Sequence, residues 1–104
     1  QMEYIKINDK DYAFRFGLRA LKKLESSVGD KLFEKVINGV NPTFGESIRL
    51  AESILLIGLQ EGAKKEGEKP PFNKQQIEDI LDDNGMDFLG EVSELVGKAV
   101  SSTK

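Results

Sequence analysis

The spacing of apolar side chains changes partway through the first quarter of the chain. Over residues 4–16, Ile5 and Ile7 alternate with Tyr4 and Lys6, and Tyr12, Phe14 and Phe16 alternate with Ala13 and Arg15. Period two predicts strands, and the turn-prone run Asn8, Asp9, Lys10 and Asp11 between them predicts a hairpin. Such a ribbon is marginal alone in water, so its Ile and Phe side chains must find a cover. From Leu18 on the spacing runs by threes and fours, and Ala20, Leu21, Leu24 and Val28 form a helical stripe. Gly29 suits the position just past that helix. Asp30 suits the cap of the next, where Leu32, Phe33, Val36 and Ile37 continue the core.

After Pro42, Thr43 and Glu46 have the spacing of a capping box, which predicts a longer helix from about Phe44. At about 100° per residue, Phe44, Ile48, Ala51, Leu55, Gly58 and Leu59 share one face and Leu50, Ile54 and Ile57 a second, leaving only a narrow polar sector at Glu46, Arg49, Ser53 and Gln60. A helix apolar on two sides is either covered twice or shows one strip to a partner. Leu50, Ile54 and Ile57 are therefore the candidate partner-binding residues. The charged, Gly- and Pro-containing stretch "EGAKKEGEKPP" reads as an exposed loop, with Gly62 and Gly67 as hinge candidates. Phe72, Asn73 and Gln76 then have the order of a hydrophobic staple and a capping box, with Ile77, Ile80 and Leu81 as the buried edge of the helix they start. Beyond "DNGMD" a last helix, from Phe88 to about Val100, gathers Phe88, Leu89, Val92, Leu95, Val96 and Ala99 on one face, and Gly90 and Gly97 weaken its opposite side and add mobility.

These elements predict a single α+β domain over residues 1–104, mainly α: a hairpin at 1–16, a helical core at 17–63, a mobile loop at 64–72, C-terminal helices at 73–100 and a frayed tail at 101–104. The hairpin would pack on a small bundle of four to five helices. At 104 residues the chain is long enough to close one modest core without staples. Gln1 precedes Met2, which is the expected natural start.

Composition removes most chemistry. Without cysteine there is no disulfide or thiolate ligand, and without histidine the usual general base and zinc ligand are gone. No apolar run approaches the roughly 18 residues of a membrane span, and no secretory signal pattern opens the chain, so a cytoplasmic setting is expected. Residues 1–52 hold nine Lys/Arg against eight Asp/Glu and residues 53–104 six against ten, so neither half has the basic excess that nucleic acid favours. The densest basic patch, Arg15, Arg19, Lys22 and Lys23, reads as a solvated face.

Two motifs come close and fail. Gly62 and Gly67 have phosphate-loop spacing, but Glu68 and Lys69 stand where Lys and Ser/Thr are needed. Asp82, Asn84, Gly85 and Glu91 match four calcium-loop positions, while Ile80 and Phe88 occupy ligand positions they cannot serve. Glu78, Asp79, Asp82 and Asp83 form an acidic face without the enclosure that acid–base catalysis requires. No catalytic, cofactor-binding or metal-ligating residue is expected, and neither nucleic acid nor membrane is expected as a partner. The chain reads as a binding or assembly module.

The order "EYIKINDKDYAFRFGLRALKKLE", then "ESIRLAESILLIGLQEG", then "PFNKQQIEDILDD" resembles the small tail assembly chaperones of long-tailed bacteriophages and prophages of Gram-positive hosts. Nearly the whole chain takes part, with the hairpin ending in "FRFGLRALKKLE" the most specific portion. The resemblance implies a protein that binds the tape-measure protein, keeps it soluble, helps recruit tail-tube subunits and leaves before the virion is complete. It also implies that a longer, frameshifted form exists for some members. Self-association, with several copies coating the client, fits this reading. A stoichiometric structural subunit of a tail or connector, adding strands at the hairpin edge, is the alternative.

Overall fold

The computed structural model describes residues 2–102, leaving aside the side chains of Val96 and of residues 98–102. Strands β1 (Glu3–Ile7) and β2 (Lys10–Phe14) pair antiparallel, with Ile5 opposite Tyr12 and Glu3 opposite Phe14. The turn is tighter than the four-residue run anticipated. Only Asn8 and Asp9 lie between the strands, at φ 52° and 68°, the positive pair that a two-residue hairpin turn demands and that Asn and Asp tolerate best among side-chain-bearing residues. Period two then works as expected: Ile5, Ile7, Phe14 and Phe16 are buried, while Lys6 and Asp11 meet in an exposed ion pair at 3.7 Å.

Helix α1 (Leu18–Val28) buries Ala20, Leu21, Leu24 and Val28, the stripe read from its spacing. Gly29 ends it at φ 91° and is also the N-cap of α2 (Asp30–Asn38). Asp30 is thus the first helical residue and makes no side-chain cap, though its charge sits favourably at the helix start. Helix α2 is held by Leu32 with half-buried Phe33 and Val36, but Ile37 is exposed rather than part of the core. Helix α3 (Phe44–Lys65) begins in the expected capping box, Thr43 Oγ1 accepting from the Glu46 amide and Glu46 Oε1 from the Thr43 amide. It packs against α1, β2 and α4.

That position decides the two-faced pattern of α3. Leu55 and Leu59 are buried on one side, and Leu50, Ile54 and Ile57 are buried on the other, at 7%, 2% and 6% exposure. The latter three are core residues and not an exposed binding strip, a correction with a plain cause. A helix surrounded by α1, β2 and α4 buries almost its whole circumference.

Helix α4 (Lys74–Ser102) starts in the second capping box, the Asn73 and Gln76 side chains each accepting from the other's amide. Phe72, expected as a staple on Ile77, meets the hairpin. Its ring lies 5.1 Å from that of Tyr12, tying the start of α4 to the hairpin. The helix is interrupted at Gly85 (φ 76°, ψ −164°), which separates two helical halves where two helices were expected. Ile77, Ile80, Phe88 and Val92 from both halves join one continuous core with the hairpin and the other helices. Backbone helix reaches Ser102, two residues past the expected end. The expected core roles of Val96 and Ala99, and the fraying of Thr103 and Lys104, lie outside the described residues.

Candidate partner-binding surface

The glycines proposed as hinges divide into three kinds. Gly62 is inside α3 and has no room: a Cβ there would come within 2.2 Å of the Ala13 carbonyl oxygen. Four residues earlier, one turn back, a Cβ on Gly58 would meet the Phe14 ring. The β2 chain therefore lies directly on α3, and the Arg15 amide donates to the Gly58 carbonyl at 3.0 Å. Gly62 is a close-approach residue, which corrects its assignment as a hinge. Gly67, at φ 73°, lets the chain turn off the end of α3. Gly90 and Gly97 sit in regular helix with open space around them, and the bend in α4 is at Gly85. Neither Gly90 nor Gly97 is itself a point of bending in this structure.

Glu61 is the buried charged residue that the sequence pattern did not single out. Only 3% exposed, it accepts from Arg19 Nε and Lys23 Nζ, both at 2.8 Å. Burial by itself raises its pKa, but the hydrogen bonds and charges of Lys23 and Arg19 outweigh it and hold the carboxyl below its ordinary 4.5. A lowered pKa makes it a poor proton acceptor near neutrality, so its part is to lock α1 onto α3. The same contacts consume two of the four cations of the basic patch. The sequence neighbours of Glu61 do not reveal it: Gly58 and Gly62 turn to β2, whereas Glu61, on another side of α3, turns to α1.

Exposed apolar surface collects instead where α3 begins and α4 bends. Phe44 is 63% exposed and Met86 64% exposed, and both line one open groove of about 300 Å³ whose floor is Ile48, Leu81 and Leu89. Glu52, Glu78 and Asp82 stand around it, with no hydrogen bond or ion pair to any of the three among the described residues. Phe44, Ile48 and Glu52 follow at i, i+4 and i+8 on α3, Glu78 and Asp82 at i and i+4 on the first half of α4, and Met86 stands just past the Gly85 break. Phe44 was expected on the core face, and its angle around α3 agrees. As the first residue of the helix, however, it extends past the end of the packing neighbours that cover Ala51 and Leu55. Met86 would have been found by treating Gly85 as a helix break.

Among the described residues no cluster of His, Cys, Asp or Glu is placed to hold a metal ion, and no helix is long and apolar enough to cross a membrane. No protein-family model, curated protein or solved structure matches the chain.

Proposed function

We propose that this protein is a non-catalytic assembly chaperone for phage or prophage tails, working in the host cytoplasm. It binds the tape-measure protein, keeps that long chain soluble and helps bring tail-tube subunits to it. The observation that carries this reading is the open apolar groove at Phe44 and Met86, bordered by Glu52, Glu78 and Asp82, which have no ion pair among the described residues, on a chain whose order of hairpin and helices resembles that family. A chaperone for a helical client needs apolar surface that water tolerates for a time, and acidic surroundings keep such surface soluble while it is vacant.

The test is co-expression with the tape-measure protein encoded beside it, followed by size-exclusion chromatography with light scattering. A soluble complex holding several copies of this chain, from a client that is insoluble alone, is the expected result. An insoluble client would count against the proposal.

A second reading, a structural tail subunit, draws on the sheet. It has two strands only, and β1 has β2 as its sole sheet partner among the described residues, so one β1 edge is open to strand addition. That reading requires the protein to remain in finished particles, which mass spectrometry of purified virions measures directly.

A further inference from the structure

The geometry points to the groove between the start of α3 and the Gly85 bend of α4 as the seat of a partner's amphipathic helix, apolar along one side and flanked by lysine or arginine. This rests on the client-binding reading only for the identity of the partner.

Three features select that occupant. The groove is an open trough between two helices, with an apolar floor and Phe44 and Met86 rising from its sides. The α3 wall, from Phe44 to Glu52, rises through eight residue steps, about 12 Å at the helical rise, or two turns of a third helix laid beside it. Its charge is one-sided. Between Lys74 and Lys98 the chain carries Glu78, Asp79, Asp82, Asp83, Asp87, Glu91 and Glu94 and no basic residue. Glu52 adds a carboxylate from the α3 wall, so an approaching cationic flank meets unpaired acid on both sides.

Other occupants fit less well. Nucleic acid would be repelled. On α1 of a second copy, Arg19 and Lys23 would already be held by Glu61. The partner's apolar stripe would take the place of water over Phe44 and Met86, and its cations would neutralise Glu52, Glu78 and Asp82.

The test uses the full chain and a synthetic amphipathic peptide of roughly fourteen residues, about four helical turns, built from leucine and lysine. Its counterpart carries glutamate in place of every lysine. Amide chemical shifts in the labelled protein locate the binding, and fluorescence anisotropy of labelled peptide gives affinity. Saturable shifts are expected at Phe44, Ile48, Leu81, Met86 and Leu89, with no binding of the glutamate peptide. Phe44→Ser with Met86→Ser should weaken binding on the order of ten-fold, as removal of central apolar anchors does. Glu78→Gln with Asp82→Gln should weaken it and flatten its salt dependence. Both pairs alter exposed side chains, so thermal melts should match the parent.

Unchanged affinity in both variants, shifts centred on α1 or the hairpin, or a dimer closed through this groove would overturn the proposal. The two readings also separate. A tape-measure protein solubilised as well by the Phe44→Ser, Met86→Ser variant as by the parent sinks the groove and leaves the chaperone. Peptide seated in the groove beside a client that stays insoluble supports the groove and removes the chaperone.

Discussion

At its C-terminal end α3 touches the hairpin backbone through Gly58 and Gly62, whereas at its N-terminal end Phe44 stands mostly in solvent beside Met86 of α4. One helix therefore carries both a close main-chain contact and part of an open apolar groove. At the tight end, side chains were removed so that main chain could meet main chain, and Glu61 was buried between two cations to hold α1 alongside. At the open end, large side chains remain exposed among the described residues. Close packing leaves no freedom to accommodate change. An uncovered groove leaves its residues free to serve a partner at little cost to the fold.

The strongest way to break this comparison is to place a charge at the buried part of α3. Ile54→Asp puts an unpaired carboxylate where exposure is 2%, and a loss of more than about 4 kcal/mol, seen as an unfolded protein by circular dichroism, is expected. A folded variant that only loses its partner would restore Ile54 to the binding surface.

Next in size is Gly62→Ala. Its new methyl group would press on the main chain of β2 at Ala13, which cannot rotate aside as a side chain could. A loss of about 3 kcal/mol is expected in urea titration, at the upper end of overpacking costs.

Glu61→Gln comes third, at about 1 kcal/mol, because Arg19 and Lys23 are themselves partly exposed and regain water when the carboxylate goes. Its pH dependence has a definite sign. The folded pKa lies below the ordinary 4.5, so the carboxylate's stabilisation is fully present above that value and disappears as pH falls through the lower folded value. Urea midpoints of parent and variant should differ at neutral pH and converge in acid.

Smallest, and opposite in sign, is Gly90→Ala. With open space around it and regular helix on both sides, it should gain about 0.5–1 kcal/mol. The same substitution thus stabilises at Gly90 and destabilises at Gly62, and a thermal melt of each would sharpen the contrast.

Much of this architecture was legible from local rules. The alternation of Ile5, Ile7, Phe14 and Phe16, the stripe from Ala20 to Val28, and both capping boxes depend on interactions within a few residues, and each occurs as read. Most of the misreadings concern what lies opposite a residue. Leu50, Ile54 and Ile57 face inward because α3 is surrounded. Phe44 faces outward at the same angular position as buried neighbours because the cover ends before it. Gly62 reads as a loop residue beside "AKKEGEKPP" until β2 is laid against it. Asp30 yielded its capping role to Gly29 because the chain turns at φ 91° one residue earlier.

Spacing, capping and turn chemistry act over a few residues of contiguous chain, so the elements and the mixed α+β class follow from local sequence. Tertiary structure alone decided which apolar face is core, which glycine is a close contact and where unpaired carboxylates gather around open apolar surface. Those properties belong to residues distant in sequence, and burial is set by the neighbours that folding brings rather than by the side chain's own polarity.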